Sequence, residues 1–144
     1  MISTSARRVA DQSDPAIADR IRRQTEMSLA YFAAHPQDIG RRLEELDAEW
    51  DVERALETGS STLTLTGLVL GTVGGRKWLL LSLVVQGFFM QHALQGWCPP
   101  LPVFRRLGFR TQYEIERERY ALKAIRGDFG SPADPAYAVQ AVHA

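Results

Sequence analysis

The chain is poor in cysteine and has no excess of charge of either sign, and each shortage excludes a class of function. Cys98 is the one cysteine among 144 residues, so neither an intramolecular disulfide nor a metal cluster built on several cysteines can form. Basic residues number 17 and acidic residues also number 17. That balance gives no support for nucleic-acid binding, which normally needs a concentrated basic surface. The residues predict no metal site, no cofactor and no catalytic constellation.

Charge is almost absent from the middle of the chain. Between residues 58 and 104, the charged residues are Arg76 and Lys77 alone. The 18 uncharged residues of the first part, 58–75, would form a helix about 27 Å long, close to the thickness of a hydrocarbon core. The second part, 78–104, is longer and more apolar. We therefore predict a two-helix transmembrane hairpin over 58–104, with the lipid bilayer as its partner. The alternative is a soluble helical assembly that buries the apolar hairpin between protomers.

Aromatic and basic residues mark the ends of the second span. Trp78 and Trp97 lie 19 residues apart, close to the separation of two interfacial anchors. Arg105 and Arg106 follow, as expected where a chain meets lipid head groups. The prolines of Cys98-Pro-Pro-Leu-Pro102 predict an extended exit from the second span, because proline removes backbone donors and clashes with a preceding turn.

Small and polar residues within the hairpin suggest how it packs. Gly67, Gly71 and Gly75 repeat at every fourth position, which lets helix backbones approach closely in lipid. These glycines form either the contact between the two spans or a dimer interface. Two glutamines, Gln86 and Gln91, are expected to hydrogen-bond across the hairpin. An ionisable residue in a span, His92 here, is a candidate functional site, although its place near the span end favours a structural role.

The flanks of the hairpin are rich in charge and predict amphipathic helices, so the fold class is all-α. Residues 1–14 are expected to be a disordered lead-in and 15–57 to form two helices, the second of them over 37–57. The second helix carries an apolar stripe that consists of Ile39, Leu43, Leu46 and Trp50. Residues 105–126 are predicted to be a basic exit and a helix that begins near 112, where Thr111 and Glu114 have capping-box spacing. Residues 127–144 are predicted to be a loose tail.

Two short motifs resemble a known membrane family. Gly96-Trp97-Cys98-Pro99, followed by Leu107-Gly108-Phe109-Arg110-Thr111, resembles the YgaP-like inner-membrane domain family over about residues 54–111. That family occurs alone or fused to a rhodanese sulfurtransferase module, which this chain lacks. The resemblance implies a helical hairpin in a bacterial inner (plasma) membrane, as a dimer or other homo-oligomer, and it implies no reaction. Positive residues are more numerous at the two ends of the hairpin than at its turn, so both termini are expected to be cytoplasmic.

The sequence thus predicts a small integral membrane protein that is not an enzyme. Its cytoplasmic helices would self-associate or recruit a cytoplasmic protein partner. The competing hypothesis is a thiol-dependent accessory factor in sulfur or redox handling, with Cys98 as the working residue.

Overall fold

A computed structural model describes residues 6–130, and all of the regular structure in that range is helical. This confirms the all-α prediction. The helices are α1 (Arg8–Asp11), α2 (Pro15–Ala34), α3 (Ile39–Ala48), α4 (Val52–Val73), α5 (Leu79–Gln95), α6 (Leu101–Arg106) and α7 (Gln112–Arg126). Short 3-10 turns at Pro36–Asp38 and Arg76–Trp78 precede α3 and α5.

The chain divides into two compact units, each assembled from segments that are distant in sequence. The first, called the hairpin unit, consists of Met1–Ile21 and Trp50–Tyr113. The second, called the bundle unit, consists of Arg22–Glu49 and Glu114–Ala144. The division falls within α2 and near the start of α7.

In the hairpin unit, α4 and α5 pack side by side and are joined by the short segment from Gly74 to Trp78. Gly75 has a φ of 115° in this turn, a backbone conformation that favours glycine. A small core lies near the open end of the hairpin and consists of Val9, Val52, Leu56, Cys98 and Leu101. Of the helices in residues 6–130, none is both apolar enough and long enough to cross a membrane.

In the bundle unit, the predicted apolar stripe of α3 faces a core. Ile39, Leu43 and Leu46 are buried there with Phe32 of α2 and with Ile115 and Leu122 of α7. Trp50, the fourth residue predicted for the stripe, is exposed and stacks with the Arg54 guanidinium, 4.5 Å from the ring centroid. The stripe therefore ends with α3.

The prediction of one helix over 37–57 is wrong, because the chain breaks at 49–51. Glu49 is extended, and Asp51 caps a new helix by accepting a hydrogen bond from the Arg54 N–H at 2.6 Å. Such a cap satisfies a backbone donor that the first turn of a helix leaves open. As a result, the charged segment 52–57 forms the first turns of α4, in continuity with the uncharged segment that follows it.

The prediction of an extended exit after Cys98 is also wrong. The chain turns at Pro99-Pro100 and forms α6, whose first turn contains Pro102. Proline is tolerated in a first helical turn, where the missing N–H would have no intrahelical partner.

The described residues include part of the lead-in and part of the tail that are predicted at the two ends of the chain. The helical turn α1 lies inside the predicted lead-in, and its Val9 belongs to the core of the hairpin unit. Helix α7 begins at Gln112, as the capping-box spacing predicts, and it ends at Arg126. The predicted tail beyond residue 130 lies outside the described residues.

Candidate functional site

Two of the predicted packing glycines lie where α4 and α5 touch. A Cβ atom built on Gly67 would be 2.4 Å from Ser82 Oγ and 3.0 Å from the Trp78 carbonyl oxygen. A Cβ atom on Gly71 would be 2.4 Å from Leu79 Cδ2. Of the two roles left open for these glycines, contact between the hairpin helices is therefore the one that the geometry supports. Gly75 serves the turn, and a Cβ there would meet no atom within 4 Å.

Hydrogen bonds across the hairpin centre on Thr64 of α4. Ser82 Oγ donates to the Thr64 carbonyl oxygen at 2.9 Å, and Gln86 Nε2 donates to Thr64 Oγ1 at 2.7 Å. The expected role of Gln86 is thus confirmed. The Gln91 side chain makes no hydrogen bond with the described residues 6–130, so the role expected for it is not seen. Ser82 and Thr64 were not predicted, because the sequence does not specify which residues of the two helices face each other.

His92 is buried near the end of α5, with 3% of its surface exposed. Its ring lies nearly parallel to that of Phe89, with centroids 6.3 Å apart. Neither ring nitrogen has a hydrogen-bond partner among the described residues. In the same part of the chain, no group of three or more histidine, cysteine and acidic residues could hold a metal ion.

Cys98 belongs to the core of the hairpin unit rather than to its surface. Only 4% of the residue is exposed, and it packs in a cluster with Val9, Val52, Leu56 and Leu101. A thiol that exchanges with a substrate needs access to that substrate. The arrangement is that of a packing residue, and the sulfur and redox hypothesis stays a prediction.

Gly96, in the first motif, occupies a position where a side chain does not fit. It ends α5 with a φ of 77°, and a Cβ atom there would be 2.4 Å from the Arg8 carbonyl oxygen. A larger residue would be strained and would also collide with the backbone of the first residue of α1. The motif glycine therefore allows α1 to pack beside the end of α5.

The two arginines predicted as interfacial anchors differ in burial. Arg105 is buried: its Nε donates to Ser13 Oγ and its Nη1 to the Phe109 carbonyl oxygen, each at 2.9 Å. It ties the segment after α1 to α6, which is a structural role. Arg106 is exposed, as are Trp78 and Trp97 in part, so these three have the exposure that an interfacial anchor requires.

The second motif supports the first turn of α4. The Val52 N–H donates to the Arg110 carbonyl oxygen at 2.8 Å, and the Gln112 N–H donates to Glu53 Oε2 at 3.3 Å. Thr111, between them, is buried. Burial raises the pKa of the Glu53 carboxyl, and the hydrogen bond from Gln112 opposes that rise.

The most extensive feature of the hairpin is an exposed apolar surface on both helices. On α4 and α5, the large apolar residues with at least 40% of their surface exposed are Leu63, Leu65, Leu68, Val69, Val73, Leu79, Leu80, Leu83, Val84, Phe88, Met90 and Leu94. On α5 they lie within about half of the helix circumference, and the other half, with Ser82, Val85 and Phe89, is buried or partly buried. Comparisons with protein-family models, with curated proteins and with solved structures found no match to this chain, so the YgaP-like resemblance stays a prediction.

Proposed function

We propose that this chain is an integral membrane protein whose hairpin of α4 and α5 is inserted into a lipid bilayer. The observation that carries the proposal is the exposed, uncharged surface on both helices, where leucines such as Leu80 and Leu83 have well over half of their surface exposed. Monomeric soluble proteins rarely expose contiguous apolar patches larger than a few hundred Å², so a surface of this kind indicates contact with lipid or protein.

Lipid is the favoured contact, because the apolar residues do not form one stripe. A helix that docks on one partner is apolar on one face, whereas a helix surrounded by hydrocarbon is apolar on every side. On α5, Leu80, Val84 and Met90 lie on the exposed side, and the apolar residues Val85 and Phe89 lie partly buried on the opposite side. The serines and threonines of α4 also fit this setting: Thr62 and Thr66 each donate to the carbonyl oxygen four residues earlier. Their hydroxyl groups are thus satisfied within the helix.

The turn between the helices leads the insertion in this proposal. Arg76 and Lys77 are the only charges between residues 58 and 104, and their long side chains can extend toward head groups while their stems remain in the apolar region. Helix α5 is 17 residues long, or about 26 Å at 1.5 Å per residue, against a hydrocarbon core of about 30 Å. Both ends of the hairpin then lie on one side of the membrane, the cytoplasmic side under the positive-inside rule.

The bundle unit is the part proposed to self-associate or to recruit a cytoplasmic protein. It has its own apolar core and a charged surface, so it can remain in water. Met27 and Tyr31 are exposed one turn apart on α2, with 65% and 50% of their surface accessible. A pair of exposed apolar residues at this spacing is suited to contact with another protein surface.

Extraction of membranes separates the proposal from its alternative. Membranes that contain the full chain are washed with alkaline carbonate and, separately, with a mild detergent. We expect the chain to stay in the carbonate-washed pellet and to enter solution only with detergent. A soluble assembly that covers the hairpin between protomers would instead appear in the carbonate supernatant as an oligomer, and that result would refute insertion.

A further inference from the structure

The hairpin unit contains a partly enclosed cavity that no predicted role uses. Its volume is about 260 Å³, and it lies between α4, α5 and the segment from Cys98 to Phe104. The wall is formed mainly by the side chains of Leu56, Leu63, Val85, Phe88, Phe89 and Phe104. Gly59 leaves the α4 side of the cavity open, since a Cβ atom there would meet nothing within 4 Å.

The wall of the cavity is suited to hydrocarbon and unsuited to water. Its one hydroxyl group, on Ser60, donates to the Glu57 carbonyl oxygen at 3.1 Å and is already satisfied. The Cys98 thiol is only a weak donor. A water molecule needs two to four polar partners, and apolar cavities without them stay dry or bind apolar molecules.

The size of the cavity fits one hydrocarbon chain. An engineered apolar cavity of about 150 Å³ in another protein holds benzene, which has six carbon atoms. By proportion, 260 Å³ holds about ten carbon atoms, which is a large part of one acyl chain but less than a whole lipid.

The position of the cavity indicates the source of the acyl chain. Leu63 and Phe88 line it and also belong to the exposed apolar surface of the hairpin, with 49% and 43% of their surface exposed. The opening is therefore continuous with the surface that is proposed to face lipid. We infer that the cavity binds one acyl chain of a membrane phospholipid, an inference that rests on the proposed insertion of the hairpin.

Photo-crosslinking tests this inference in phospholipid vesicles. The full chain is reconstituted with a phospholipid that carries a diazirine near the tenth carbon of one chain, irradiated and mapped by mass spectrometry. We expect adducts concentrated on cavity residues such as Leu56, Val85 and Phe104. A parallel sample with the corresponding diazirine fatty acid identifies the source: labelling of the cavity by the free acid alone would contradict the phospholipid assignment.

Two matched variants give the cavity its own control. Gly59→Leu fills the cavity, whereas Gly87→Leu adds the same side chain to α5, where a Cβ atom also meets nothing within 4 Å and the residue does not line the cavity. The added leucine side chain occupies the space of the acyl chain, so cavity adducts should fall severalfold in Gly59→Leu and stay unchanged in Gly87→Leu.

The distribution of adducts distinguishes the failure of the two proposals. Adducts spread evenly over Leu65, Leu80, Leu83 and Leu94, with none concentrated in the cavity of the unaltered chain, would overturn the cavity site while supporting insertion. A hairpin that carries no adducts at all would overturn insertion, and the cavity site with it.

Discussion

At the scale of single residues, Gly67 and Ser82 set the distance between the hairpin helices. Ser82 Oγ reaches the Thr64 carbonyl oxygen because no side chain at Gly67 stands in its way. The repeat of glycines at every fourth position was visible in the sequence. Its partner residues on α5 were not, because the sequence does not specify which residues of two adjoining helices face each other. Ser82 was therefore missed, while Gln86, a long polar side chain in an apolar span, could be predicted.

Substitution of alanine for two hairpin glycines should change stability in opposite directions. Gly67→Ala forces a methyl group against Ser82 and the Trp78 carbonyl, and we expect a loss of about 1–3 kcal/mol. Gly87→Ala meets no atom within 4 Å and should stabilise the helix by up to about 1 kcal/mol. Thermal unfolding in detergent micelles measures both variants. Equal effects at the two positions would contradict close packing at Gly67.

Removal of the Ser82 hydroxyl should couple to Gly67. Ser82→Ala alone loses the hydrogen bond to Thr64, at a cost of about 0.6–2 kcal/mol. It also removes the atom nearest to a methyl group at position 67, so the double variant Gly67→Ala with Ser82→Ala should lose less than the sum of the two single losses. Strict additivity in this cycle of unfolding measurements would show that the two residues do not touch.

At the scale of helices, capping and long-range contacts decide where the elements begin. The stripe of α3 and the start of α7 could be predicted from spacing alone, because apolar periodicity and capping residues are local signals. The break before α4 could not, since Asp51 is one of many acidic residues in that segment. The start of α4 is also held by Arg110 and Gln112, which are about 60 residues away in the sequence.

The carboxyl of Glu53 at the start of α4 should make stability depend on pH. Its pKa is raised by burial, so the folded chain binds a proton more tightly there than the unfolded chain does. The resulting stability is present below the ordinary glutamate pKa of about 4.3 and is lost as pH rises through the folded pKa. Glu53→Gln keeps an acceptor for the Gln112 N–H and should be more stable than the parent at pH 7, with the gain vanishing near pH 4.

The measurement for Glu53 is thermal unfolding of parent and variant across this pH range. Glu44→Gln, at an exposed position on α3, is the control and should show no such trend. A Glu53→Gln gain that stays constant from pH 4 to pH 7 would show that the effect does not come from titration.

In the bundle unit, Glu118 of α7 joins α2 and α3 through hydrogen bonds. It is fully buried and accepts from Ser28 Oγ at 2.7 Å and from Arg42 Nε and Nη2 at 3.0 and 3.2 Å. We expect Glu118→Ala to lower the free energy of unfolding by about 2–3 kcal/mol. This is less than the loss expected when a fully enclosed ion pair is broken, because Arg42 keeps Glu45 as a partner.

A surface ion pair in the same unit provides the comparison for Glu118. Asp47 pairs with Arg119 of α7, but 62% of the Asp47 side chain is exposed. Asp47→Ala should therefore cost less than about 1 kcal/mol in chemical unfolding followed by far-ultraviolet circular dichroism. Comparable losses in Asp47→Ala and Glu118→Ala would contradict the central role of Glu118.

At the scale of the whole molecule, the sequence predicted an all-helical chain with an uncharged hairpin and amphipathic flanks. It did not predict the division into two units, because that division depends on segments such as Val9 and Leu101 that meet across about 90 residues. Arg105 shows the same limit: beside Arg106 in sequence it looked like an anchor for head groups, but contacts with Ser13 and Phe109 bury it. The cavity also arises from three distant segments and left no local signal.

The central claim, insertion of the hairpin, is tested most directly by the accessibility of spin labels in vesicles. Single nitroxides are attached at Leu83→Cys and Met27→Cys in a Cys98→Ala background, and their collisions with oxygen and with a water-soluble nickel chelate are compared. Both parent residues are exposed, so burial within the protein does not separate them. We predict that Leu83→Cys collides with oxygen and is shielded from nickel, while Met27→Cys collides freely with nickel. Equal nickel accessibility at the two positions would contradict insertion.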